Sequence, residues 1–128
     1  MADARDTVSA ADAPAAVGPY SHAVRAGDLV YLSGQAPLDP ATGKLVEGDV
    51  SAQTERVFAN LSVVLTAAGL AFDHVVKVNV YLTDLADFAA MNRVYAGVFT
   101  PPYPARTTVA VAGLPLGAQV EIELVAQA

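Results

Sequence analysis

Arg106 stands directly after Tyr103-Pro104-Ala105, at the start of a β-rich run, and is one of seven basic residues in an acidic chain. Its guanidinium presents a planar fork of N–H donors that can grip a carboxylate at two points, which a lysine ammonium cannot do. That makes Arg106 a candidate substrate clamp. A surface ion pair with Glu121, Glu123 or a loop acid is the alternative, and the residues alone leave it open. Thr108, two positions along, shares its face of the strand. Glu121 and Glu123 project to one side of the final strand, where a carboxylate can position water and move protons, or can be an ordinary solvated charge.

Three further places carry weaker signals. Asn92 falls beside the apolar stripe of a helix, where it can serve buried backbone groups or a ligand. Tyr20 follows Gly18-Pro19 and reads as a loop anchor or a ligand contact. Ser33-Gly34 ends a strand, and a glycine there lets a ligand approach the backbone closely. His22 and His74 are far apart in sequence and lack the paired spacing of zinc ligands, so no metal is expected. No GxSxG elbow, GxGxxG or phosphate loop is present, which removes the usual basis for serine or nucleotide chemistry. No cofactor is expected.

The elements that must position these residues emerge from periodicity. A short strand is expected near Thr7 to Ala10. From His22 to Gln35 the runs HAVRA and LVYLSG, joined at Gly27-Asp28, predict a β-hairpin. The Pro-, Gly- and Asp-rich APLDPATGKLVEGD is a loop, and Asp49 or Ser51 is placed to cap the next element. From Ser51 to Ala68, apolar Val57, Phe58, Leu61, Val64, Leu65 and Ala68 recur at helical spacing before the stop at Gly69. His74 to Leu82 reads as a strand with Val76, Val78, Val80 and Leu82 on its buried face. Asp84 is expected to cap a second helix with the stripe Leu85, Phe88, Met91, Tyr95, Val98 and Phe99, ended by Pro101-Pro102. Strands over Arg106 to Ala112 and Gln119 to Ala126 flank a turn containing Gly113, Pro115 and Gly117. The order ββαβαββ predicts an α+β fold, with one sheet carrying both helices on one face and a polar opposite face. The whole chain, 1–128, is read as a single domain, its alanine-rich first ~12 residues at least partly frayed.

Bulk composition narrows the function. A chain of 128 residues, 54% hydrophobic, suits one compact core. A formal net charge of −6 and a pI near 4.5 argue against a nucleic-acid partner, since affinity for phosphates comes from Lys and Arg. With no cysteine, disulfides and thiolate catalysis are excluded. The N-terminus lacks a secretory pattern and no apolar run reaches transmembrane length, so no membrane association and a cytoplasmic location are expected.

Taken together, APAAVGPYSHAV, VYLSGQAPLDPATGKL, the helix ending AAGL, VVKVNVYLTDLADFAAMNRVYAGVF, PARTTVAVAGLP and VEIELVA run nearly end to end in the order of a known family. The chain resembles RidA, of the YjgF group of imine and enamine deaminases. The resemblance implies a chorismate-mutase-like fold, a six-stranded mixed sheet with two helices on one face, assembled as a homotrimer with the polar sheet face inward and the sites between subunits. It implies that Arg106, of PAR, binds the carboxylate of a small imino acid and that Glu121, of EIE, positions water for hydrolysis to a 2-keto acid and ammonia. Tyr20, Ser33, Gly34 and Asn92 would line the pocket. Many relatives carry cysteine two residues after the arginine; Thr108 replaces it here and leaves a hydroxyl. A non-catalytic ligand-binding or chaperone-like trimer is the alternative within the same superfamily. The ribonuclease label borne by some relatives fits poorly with the acidic charge and the lack of a paired histidine.

Overall fold

A computed structural model describes residues 4–128. The strands are β1 (Asp6–Val8), β2 (Ala23–Ala26), β3 (Leu29–Gln35), β4 (Val75–Leu82), β5 (Ala105–Ala110) and β6 (Val120–Gln127); the α-helices are α1 (Val50–Ala67) and α2 (Phe88–Val98). All six strands join one sheet in the order β1-β2-β3-β6-β4-β5, antiparallel except for the parallel pair β4/β5. The expected α+β order and mixed six-stranded sheet are therefore what the chain adopts. No helix among the described residues is long and apolar enough to cross a membrane.

Each helix starts and stops for a local reason. The Asp49 carboxylate accepts from Ala52 N at 3.0 Å and satisfies an otherwise orphaned donor of α1, while Gly69, at φ 78°, ends it in a conformation that costs glycine little. Asp84 caps a 3₁₀ turn, Leu85–Asp87, and not α2 itself, which begins at Phe88. Leu85 is accordingly exposed and drops out of the expected stripe.

One sheet face is dry. Val78, Val80 and Leu82 of β4 and Val120, Ile122, Leu124 and Ala126 of β6 are buried against Val57, Leu61, Val64 and Leu65 of α1 and Met91 and Tyr95 of α2. Edge-to-face contacts of Phe58 with Phe72, Tyr95 and Phe99, at 5.8–5.9 Å between centroids, close one end of this core. Val76 is a correction to the sequence reading. The β4/β6 register slips between Val75 and Lys77, so Val75 takes the buried place and Val76 is left exposed.

Of the first ~12 residues, expected to be at least partly frayed, residues 1–3 lie outside those described. Asp6–Val8 pairs with β2, and Ala10 and Ala13 are buried, since small side chains let backbone lie close against the core. The opposite sheet face carries Lys77, Asn79, Tyr81, Glu121 and Glu123. Lys77 Nζ donates to Thr107 Oγ1 at 2.9 Å there, and the Tyr81 hydroxyl donates to a Glu123 oxygen.

Candidate active site

Arg106 pairs in register with Val78, and Val78 with Leu124, both buried under the helices, so Arg106 faces α2. There its Nη1 donates to Asn92 Oδ1 at 2.6 Å, and its guanidinium carbon lies 4.6 Å from the centroid of the Tyr95 ring and 5.5 Å from that of Phe88. The surface ion pair that the sequence left open is not formed. Among the described residues the one ion pair joins Arg25 to Asp6, at 3.7 Å. Arg106 is thus held by an amide and two rings, which orient its positive charge without neutralising it. It opens on a cavity of about 360 Å³ whose walls include Asn92, Tyr95, Tyr103 and Pro104.

Thr108 shares this face, and its hydroxyl is buried without a hydrogen-bond partner. The same holds for the Tyr95 hydroxyl, whose pKa is raised by burial and pulled back in part by Arg106. The sequence reading placed Tyr95 in the core stripe and missed its second task. The available signal was its spacing, since Asn92 and Tyr95 are three apart on one helix face.

Glu121 belongs to a different surface. It pairs with Tyr81 in the polar row and lines a cavity of about 310 Å³ with Tyr20, Ser33, Gly34, Val17 and Leu116. The β3/β6 register slips between Leu32 and Gln35, so a bulge at Ser33-Gly34 bends the strand beneath the carboxylate. Burial, and secondarily the charge of Glu123, push the Glu121 carboxyl above its ordinary range. Ser33 Oγ donates to Ser21 O at 2.6 Å, so its proton is spent on holding the chain after Tyr20.

The residues singled out from sequence therefore form two groups on opposite faces of the sheet. Arg106, Thr108 and Asn92 lie on the helix side; Glu121, Gly34, Ser33 and Tyr20 line the other cavity. Three residues along the strand and two strands across separate Arg106 from Glu121, roughly 14 Å in the sheet plane. One chain cannot bring them to the same small molecule. The histidines are engaged elsewhere: both ring nitrogens of His22 and Nδ1 of His74 meet backbone groups. Among the described residues no three His, Asp or Glu side chains are grouped to hold a metal ion.

Comparison with known proteins places this arrangement. The sequence model described as Endoribonuclease L-PSP matches residues 10–128. Protein DfrA of Myxococcus xanthus is 54% identical over 96% of this chain and 95% of its own. A 2-iminobutanoate/2-iminopropanoate deaminase of Capra hircus is 47% identical over 95% of this chain and 89% of its own. The crystal structure of RidA from the Antarctic bacterium Psychrobacter sp. PAMC 21119 superposes with a TM-score of 0.92 at 50% identity, covering 97% of this chain and 100% of that one. With a match across nearly its whole length in sequence and in fold, the chain belongs to the Endoribonuclease L-PSP family, the YjgF/RidA family.

Proposed function

We propose that this chain hydrolyses 2-imino acids and their enamine tautomers to 2-keto acids and ammonia. The observation that carries the reading is Arg106, a guanidinium oriented by Asn92 and Tyr95, without a carboxylate partner among the described residues and open to a cavity. A small substrate carboxylate supplies the missing anion in bidentate fashion. Relatives named as imine deaminases support the same chemistry.

The site is completed by a second copy of the chain, in a homotrimer with one site at each interface. Arg106 of one copy binds the carboxylate; Glu121 of the next, over its Ser33-Gly34 bulge, faces the imine carbon. The Glu121 carboxylate takes a proton from water as the oxygen bonds to C2. It returns that proton to nitrogen to give the carbinolamine, then carries the hydroxyl proton to the amino group as the C–N bond breaks, releasing ammonia and leaving the keto group. A carboxyl whose pKa is raised by burial is a better base for this exchange than one in the ordinary range. Asn92, Tyr20 and Thr108 supply polar contacts around the reacting atoms, and no cofactor is required.

The test is ammonia release from 2-iminopropanoate generated in the assay by an amino-acid oxidase. Arg106→Ala and Glu121→Gln are each expected to lose activity. Mixing the two after unfolding and refolding together should restore activity at about a quarter of the sites, because random assembly pairs an intact Arg106 with an intact Glu121 in that fraction of interfaces. No recovery on mixing sinks the shared site. Tight substrate binding with no ammonia release would instead make the chain a binding protein.

A further inference from the structure

His22 is buried, 8% exposed, and has no part in the chemistry above. Its Nδ1 lies 3.0 Å from Ala10 N and its Nε2 2.8 Å from Pro14 O. An amide N–H can only donate and a carbonyl can only accept, so the two partners fix the ring as neutral, with its lone pair on Nδ1 and its proton on Nε2. Between them Ala13 N donates to Ala10 O at 3.2 Å and closes a turn. Pro14, Ala15, Val17 and Tyr20 form one wall of the Glu121 cavity. The imidazole thus ties the foot of β2 to the point where that wall begins. Beside it lies a cavity of about 460 Å³ whose lining includes no Asp, Glu, Lys or Arg, and Tyr20 is the other titratable residue there. Nothing in that lining would stabilise an imidazolium, and Ala10 N–H would meet a second donor.

We propose that His22 is a positioning residue: its neutral imidazole clamps the turn of residues 10–14 and thereby sets Val17 and Tyr20 over Glu121. The effect on binding rests on the deaminase reading; the clamp itself does not. Amide hydrogen exchange and steady-state kinetics on the full chain test both, using wild type, His22→Gln and His22→Phe. Glutamine retains one acceptor and one donor, whereas phenylalanine only fills the volume.

Exchange at Ala10, read at a single pH, is expected to quicken in His22→Phe, whereas His22→Gln should stay protected. KM for 2-iminopropanoate should rise roughly tenfold in His22→Phe with kcat within about twofold, since the wall binds substrate and Glu121 is held separately by β6. His22→Gln should recover the KM. Equal protection of Ala10 in wild type and His22→Phe overturns the clamp. Where His22→Phe fails to fold, the smaller His22→Leu replaces it, with the same reading of Ala10 exchange. Should wild type release no ammonia, the deaminase reading falls, and the clamp stands or falls by the Ala10 exchange alone.

Discussion

A Cβ built on Gly34 would sit 2.6 Å from Oε2 of Glu121, so the carboxylate fills the space that any other residue at position 34 would claim. The obstructing atom is the tip of a flexible side chain, and Gly34 is not among the glycines with positive φ. An alanine there is accommodated by turning the carboxylate aside, with little strain on the backbone. Gly34→Ala is expected to fold normally and to lower kcat for imine hydrolysis roughly ten- to a hundredfold, the scale of a displaced catalytic group. Unchanged kcat would show that the orientation of Glu121 is immaterial.

The buried Glu121 carboxyl gives stability a pH dependence with a definite sign. Its folded-state pKa is raised, first by burial and then by Glu123. Over the window from the ordinary carboxylate range up to that raised value the native state holds more protons than the unfolded one, so stability falls as pH rises. Glu121→Gln removes the term. Its Tm should exceed that of wild type by an increment that grows as pH rises through the window and is smallest below it; thermal melts of the two proteins in parallel check this.

Tyr95 separates ring from hydroxyl. The ring face supports the Arg106 guanidinium, whereas the hydroxyl is buried without a partner. Tyr95→Phe should therefore be neutral to stabilising by up to about 1 kcal/mol, because it removes an unsatisfied polar group. Tyr95→Leu should raise KM by roughly three- to thirtyfold through loss of the cation–π shelf. Denaturant melts and kinetics on the same two variants decide it, and equal KM values would sink the shelf.

Leu116 is the sole non-glycine residue with positive φ among those described, at φ 61°, and is 68% exposed beside the Glu121 cavity. Its side chain is largely exposed while its backbone is strained, a combination expected under the proposed function of an apolar wall for the substrate's tail. Leu116→Lys should reduce kcat/KM for 2-iminobutanoate by roughly tenfold relative to an acidic imino acid. An unchanged ratio would remove Leu116 from the pocket.

Much of this protein is legible along the chain. The α1 stripe and Asp49 cap, the Gly27-Asp28 hairpin and the alternation of β6 depend on neighbours a few residues apart, and each appears where the pattern puts it. Motifs around Arg106 and Glu121 singled out both charges as candidates. Val76 misled because a bulge is a mismatch between two strands and leaves no mark on one. Asp84 misled because a 3₁₀ turn and an α-helix use the same cap.

Tertiary structure alone decided how the charges stand to one another. The alternation of β6 by itself turns Glu121 away from the helices. Only the register of β5 on β4 sends Arg106 to the helix face. Alternation specifies which residues share a side of their own strand, but the side itself is set by which neighbours the strand pairs with and where the helices dock. His22 escaped the sequence for the same reason: its partners, Ala10 N and Pro14 O, are backbone groups that carry no side-chain signature.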